Sequence, residues 1–312
     1  MTLLTESGAH PVAASASRRR RRPLVRQWIG LVYVAPAILL VIVFFVIPLF
    51  MTAWMSLHNW PLMGGHRFIG FDNYVAMWKD RRFWNAMNFT VYYTVIVTIA
   101  IFAASFPLAL FVEKPRRFNG FYRTAYFLPV VVGFASASLL WVWLLNVDAG
   151  LFSPAAQALG LTTRKVNLLA SFDTAFWSII AMVVWKVAGF TMVILMTGLQ
   201  SIPSELQEAA KIDGAGALSR FRMITLPLMR RTIALALILS VAGSMLAFDQ
   251  FYIILAGGPR NQTLTAVYWI FSQSFVSFKL GYGAALSMVL LAILVVLSLI
   301  QLRLLRNPEG LR

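Results

Sequence analysis

EAAKIDGAGALSRFRMITLP, residues 208–227, is a polar stretch with both signs of charge, set between two strongly apolar segments, 174–204 and 232–259. A loop that only connects two membrane helices needs to be no more than basic and flexible. This one carries helix signals. Ser204 follows Pro203 and stands three residues before Gln207, the spacing of a capping box. Glu205 falls in the first turn, where a negative charge complements the helix dipole. Leu206, Ala209 and Ala210 share one face, and alanines there leave a shallow surface on which another protein can lie closely. Asp213-Gly214 predicts the stop, because glycine accepts the left-handed conformation of a C-cap. A second short helix is predicted with Leu218, Phe221 and Ile224 spaced three apart, Arg220 and Arg222 opposite, and Pro227 closing the loop. Periodicity alone leaves two readings, a docking surface or an ordinary amphipathic surface loop.

The flanking segments set the class. The chain has 312 residues, of which 60% are hydrophobic and only 12% charged. Its mean hydropathy is +0.76. These values place it among membrane proteins. The formal charge of +16 falls between apolar runs instead of along one face, which argues against nucleic acid as a partner. The absence of cysteine excludes disulfides and thiolate metal sites. Histidines stand only at 10, 58 and 66, in no H-x-x-H or HExxH arrangement, which argues against a metal site. No GxxxxGK[ST] loop is present, so the chain does not hydrolyse ATP by that route.

A membrane helix needs roughly 20 mostly apolar residues. Six windows qualify: 27–57, 83–112, 124–147, 174–204, 232–259 and 280–302, with Lys186 and Asp249 the only charges inside them. The expected fold is an all-α integral membrane protein, its transmembrane domain covering 27–305. Six transmembrane helices are expected near 28–55, 88–112, 124–146, 174–200, 232–256 and 280–302. The five arginines at 18–22 resemble the basic start of a signal peptide, but the apolar run after them is too long for one, so it reads as an uncleaved first span. Residues 1–26 are expected to form a basic, disordered cytoplasmic terminus, and 306–312 a short cytoplasmic tail. With both termini inside, cytoplasmic segments hold 18 lysines and arginines and outer segments 8. The positive-inside rule favours that orientation, and it puts 208–227, between spans four and five, in the cytoplasm.

A charge at the bilayer centre costs at least about 2.5–3.5 kcal/mol, so Lys186 should face protein or water. Beside Trp185 and Phe190 it reads as a lining group of a substrate path, as the partner of an acid such as Asp249, or as a snorkelling lysine. Asp249, near the outer end of the fifth span, reads as an acceptor for substrate hydroxyls, as a gate contact, or as a local cap for the segment leading to Gly257-Gly258.

The extended pattern E-A-A-x-x-D-G-A-x(5)-F-x-x-I-x-L-P closely resembles the motif of binding-protein-dependent ABC importer permeases. In that family the loop is the coupling helix, which inserts into a cleft on the ATP-binding subunit. The resemblance carries this role onto Glu208, Ala209, Ala210, Asp213 and Gly214, with Leu226 and Pro227 matching the motif's end. The family usually has a further proline near 230 or 231, where Arg230 and Arg231 stand. Phe248-Asp249-Gln250-Phe251-Tyr252 and Gly257-Gly258-Pro259 resemble the FD-x-x-Y…GGP segment of the sugar-importing branch. In the family this glycine-rich loop faces the binding protein. Gly70-Phe71-Asp72-Asn73-Tyr74 and Arg123-Thr124 with Leu128-Pro129 fit the same branch.

The resemblance covers roughly residues 30–305 and points to the first of two permease subunits of an importer for a sugar or glycerol-phosphate-like solute. It implies a bacterial inner membrane and three kinds of partner: a second homologous permease, two ATP-binding subunits and an extracytoplasmic solute-binding protein. ATP and Mg belong to the ATPase subunits, and this chain is expected to bind no cofactor. Sugars present apolar C–H faces and polar edges, so an aromatic platform with hydroxyl acceptors suits them; Tyr252, Trp185, Phe190 and Gln250 supply those types. The alternative is an ion-coupled secondary transporter of a small polar solute. It would need carboxylates or broken helices near the midplane, and only Asp249 is available.

Overall fold

The computed structural model describes residues 24–114, 117–160 and 162–305. The expected basic terminus, up to residue 23, and the tail 306–312 lie outside them. The amino-terminal unit ends at Met51. It is helical from Leu24, with α1 (Leu24–Val41) passing through a π turn (Ile42–Val46) into α2 (Ile47–Ser56).

The second unit begins at Thr52. A two-residue hairpin, β1 (His58–Asn59) with β2 (Arg67–Phe68), leads to α3 (Asp72–Lys79) and then to α4 (Arg81–Val112). α5 (Asn119–Val131), α6 (Phe134–Leu144) and α7 (Phe152–Ala158) follow, then α8 (Phe172–Gln200). The polar loop forms α9 (Ser204–Ile212), α10 (Ala217–Arg220) and α11 (Leu226–Leu228), the last two joined by a π turn at Phe221–Thr225. α12 (Arg230–Met245), α13 (Ala266–Phe271) and α14 (Leu280–Leu305) complete the chain.

Helix α8 is the centre of this unit, with α4, α5, α6 and α12 all packing on it. Its small residues permit the approach. A Cβ on Gly189 would lie 2.0 Å from the Tyr126 carbonyl oxygen of α5, and one on Gly198 would lie 2.8 Å from Thr232 of α12. Close approach at small residues is how membrane helices associate, because lipid offers no hydrophobic driving force between them. One apolar cluster surrounds Tyr93, Ile179 and Phe251; a second holds Phe83, Met245 and Leu286; a third holds Met192, Leu195 and Met229.

Among the described residues four helices are long and apolar enough to cross a membrane alone: Tyr33–Ser56, Arg81–Val112, Phe172–Gln200 and Leu280–Leu304. Two expected spans differ from a straight helix. The third, 124–146, breaks between α5 and α6, which meet at 97°. Pro129 withholds a backbone donor in the last turn of α5, and Gly133 adopts an extended conformation at the start of α6. The fifth, 232–256, stays α-helical only to Met245. There Thr265 Oγ1 donates to the Ala247 carbonyl at 2.8 Å, and the chain turns into the π segment Phe251–Leu255 with Gln250 and Phe251 buried. A bend of 71° separates the α10–α11 helix from α12. Pro227 lies inside α11, and the break falls at Met229.

Candidate functional site

The two ends of α4 frame the unit. With 32 residues it is roughly 48 Å long at 1.5 Å per residue, enough to cross a bilayer. The polar loop packs at its carboxyl end, where Phe221 meets Phe106 edge-on at 5.4 Å. A space of about 750 Å³ there is lined by Leu110 and Glu113 of the α4 end and by Gln207, Glu208 and Arg220 of the loop.

In the loop, Gly214 has φ +76°, and the hydrogen bonds Gly214 N to Lys211 O and Ala215 N to Ala210 O close a Schellman motif. The expected capping box does not form. Ser204 lies within α9, Pro203 holds the cap position without a side-chain bond, and Gln207 Nε2 donates to Thr225 Oγ1 at 3.2 Å, tying the two halves of the loop together. The π turn rotates the second helix, so Phe221 and Ile224 point partly inward while Leu218 is exposed. Glu208, Ala209, Asp213, Gly214 and Pro227 are exposed, and Ala210 and Leu226 half-buried. No residue of α9 is buried, and Ile212 (87% exposed) and Met223 (76%) leave apolar surface in a polar loop.

Midway along the unit, Lys186, Phe190 and Gln250 line a cavity of about 460 Å³ together with Tyr93, Ser240 and Ser244. Lys186 is buried and does not pair with Asp249. Its Nζ donates to the carbonyls of Pro129 and Val130, each at 3.4 Å, and to that of Val132. It also sits 4.5 Å from the centre of the Phe134 ring. The break between α5 and α6 orphans those carbonyls, and the ammonium satisfies them at the negative end of the α5 dipole. Gln250 Nε2 donates to Tyr93 Oη at 3.2 Å. Trp185, Asp249 and Tyr252 are not among the cavity's lining residues. Trp185 lies against Trp141, and Tyr252 stacks on Phe248 at 5.1 Å within a cluster that includes Tyr268 and Phe271. Gly257, Gly258 and Pro259 form a tight turn. Gly257 takes φ +82°, and Thr263 Oγ1 donates to the Gly258 carbonyl at 2.6 Å.

The structure adds Asp80, absent from the sequence-based expectations, and gives contacts to Arg123 and Arg230. Asp80 caps α4, its Oδ1 accepting from the Arg82 and Phe83 amides at 2.9 and 3.3 Å. Its Oδ2 accepts from Trp269 Nε1 at 3.1 Å and Tyr282 Oη at 2.7 Å, which fastens α13 and α14 to the same helix end. An acid just before a long apolar run is the signal that marks it. At the other end of α4, Arg123 donates to the Val112 carbonyl at 3.1 and 2.6 Å and to that of Glu113 at 3.2 Å. Arg230, where the family pattern suggests proline, donates to the Leu304 carbonyl at 2.7 Å and closes the end of α14. Near the amino end of α4 lies a second polar space, about 710 Å³, whose lining includes Arg82, Asn85, Arg260, Asn261 and Tyr268.

A helical membrane unit with a broken span, a polar two-helix loop at one end and a polar cleft at the other is the build of a transport permease. The chain belongs to the family of binding-protein-dependent transport system inner membrane components, whose model matches residues 96–307. It is a multi-pass inner-membrane protein. It is 32% identical over 287 residues to the sn-glycerol-3-phosphate transport system permease protein of Escherichia coli O157:H7, covering 90% of this chain and 96% of that one. The sulfoquinovosyl glycerol transport system permease protein of Agrobacterium fabrum is 31% identical over 283 residues, 90% of this chain and 91% of that one. A bacterial ABC transporter involved in the import of the acidic polysaccharide alginate has the same fold, with a TM-score of 0.78, 21% identity, and coverage of 92% of this chain and 98% of that chain.

Proposed function

We propose that the chain is the permease subunit of an ATP-driven importer that moves a sugar, or a related polyol or glycerol-phosphate solute, into the cell. The importer pairs it with a second homologous permease and two ATP-binding subunits, and an extracytoplasmic binding protein delivers the solute. ATP and Mg²⁺ sit on the ATPase subunits, and this chain has no ATPase site of its own. It crosses the membrane six times with both termini in the cytoplasm, the bent pair α5 with α6 counting as the third span and α12 beginning the fifth.

The observation that carries this reading is the loop 204–229. It is a two-helix element with no buried residue in α9 and apolar side chains left uncovered at Ile212, Leu218 and Met223. Such surface on a polar element marks a protein interface. Positive-inside counting puts it in the cytoplasm, where an ATPase subunit docks. The Glu208–Gly214 segment then passes motion on through the Gln207–Thr225 and Phe221–Phe106 contacts. Coupling requires that these contacts differ between the inward- and outward-facing states. The cavity bearing Lys186, Phe190 and Gln250 lies on the solute path, with the ammonium positioning the broken span that walls it.

Gly214→Trp tests the loop. A Cβ at Gly214 meets nothing within 4 Å, so the new side chain projects outward. The left-handed backbone adds only about 1–2 kcal/mol of local strain. In the assembled complex, solute uptake and solute-stimulated ATP hydrolysis should fall together. Unchanged uptake would remove the coupling role.

A further inference from the structure

The cleft at the amino end of α4 carries a charge pattern that moving a neutral sugar does not require. We propose that it binds an anionic group of the solute, a carboxylate, phosphate or sulfonate on a sugar-like body, as the solute enters the permease. The inference rests on the importer reading and narrows its substrate class.

Arg82 from α4 and Arg260 from the turn before α13 both line the cleft, and no carboxylate side chain does. Among the described residues neither arginine is in an ion pair. Asp80 is the acid next along the chain from Arg82, and its carboxylate is already engaged by four donors: two backbone amides, Trp269 Nε1 and Tyr282 Oη. Those bonds hold the Trp269 indole in place, and the Arg82 guanidinium lies 5.8 Å from its ring centre. The aromatic face thus positions the guanidinium while its planar set of N–H donors stays unspent. Arg260 and Asn261 both have left-handed backbones, φ 53° and 60°, so they belong to a sharp turn at the cleft.

Two guanidinium groups with no competing acid favour an oxyanion, which each can grip with two parallel hydrogen bonds. Asn85, Asn88 and Gln262 add amides that can both donate to and accept from hydroxyls. Tyr268 lines the same cleft and touches the ring cluster of Phe248 and Tyr252. An apolar face beside charge and amides matches a sugar acid or sugar phosphate better than a small inorganic ion.

The test uses the assembled transporter in lipid nanodiscs and three probes with one ring: glucose, glucuronate and glucose 6-phosphate. Saturation-transfer NMR should detect both anions and not glucose. The anion signals should fade as salt rises. In the Arg82→Gln/Arg260→Gln double variant, affinity for the anions should fall about ten-fold or more, while Arg82→Lys/Arg260→Lys should retain part of it. Equal signals from glucose and the anions would overturn the proposal, as would anion binding that the Gln variant leaves intact. So would a double variant that requires more binding protein for half-maximal uptake while the free anions never bind the parent complex; the arginines would then serve an acidic surface of the binding protein. Failure of the importer reading looks different: the parent complex would show no ATP-driven uptake, whatever the probes do.

Discussion

Replacing Gly189 with alanine adds one methyl group where α8 lies directly against the backbone of α5. The new Cβ would lie 2.0 Å from the Tyr126 carbonyl oxygen, 2.7 Å from its carbonyl carbon and 3.0 Å from Phe127 Cα. All three are backbone atoms, so no rotamer change can relieve the clash. Relief needs about 1.5 Å or more of extra separation of α8 from α5, since nonbonded heavy atoms favour about 3.5–4 Å. Overpacking a tight core costs about 1–3 kcal/mol, occasionally more. Here a further loss adds to it. Lys186 lies one turn earlier on α8 and holds the carbonyls at the end of α5, so pushing the helices apart stretches those bonds too. We expect about 3 kcal/mol of destabilisation, a shift of roughly 100-fold in the folded-to-unfolded ratio. Gly120→Ala is the control. It lies in the same helix α5 with nothing within 4 Å of its added Cβ, and alanine should there be neutral or stabilise by up to about 1 kcal/mol. Thermal unfolding of the nanodisc-held complex reads both. A Gly189→Ala protein as stable as the parent would refute the close packing of α5 on α8.

Lys186→Met keeps the side-chain volume but strips three carbonyls of their donor. Stability should drop by about 1–2 kcal/mol, because the lost charge-assisted bonds exceed the relief from burying an ammonium. In a double-mutant cycle with Asp249→Asn the two effects should add within about 0.5 kcal/mol, and a coupling above about 1 kcal/mol would restore the lysine–aspartate pair. Asp80→Ala removes a helix cap and leaves Trp269 and Tyr282 without their acceptor, at an expected cost of about 3 kcal/mol. Asp80→Asn should recover part of that loss in the same unfolding measurement, and an unchanged melting temperature for Asp80→Ala would rule out the three-helix staple.

Hydropathy made the spans readable because long charge-free runs have few other uses. The stop of α9 was readable because Asp213-Gly214 is a local signal, settled within one turn. What escaped were features decided between segments far apart in the chain. Val132-Gly133 sits in an apolar run whose composition does not change across the break, so no window could register a turn of 97°. A lysine in a span advertises an acid as its partner, whereas Lys186 is satisfied by backbone carbonyls more than fifty residues away. The capping box failed because Pro203 already fixes the entry to α9 and frees Gln207 to reach Thr225. Of the six residues expected along a solute path, the fold gathers Lys186, Phe190 and Gln250 on one cavity. Tyr252 turns to an aromatic cluster because the chain leaves the α-helical path after Met245.

Arg123 and Arg230 fasten the carboxyl ends of α4 and α14 through backbone carbonyls instead of through acids. A guanidinium keeps its proton throughout the range in which proteins survive, and a carbonyl has none to gain or lose. Neither clasp therefore has a half that acidification can neutralise. Mobile ions screen a charge against a dipole at contact far less than they screen two exposed charges held apart. At these two helix ends, changes in acidity or salinity on either side of the membrane have little to act on.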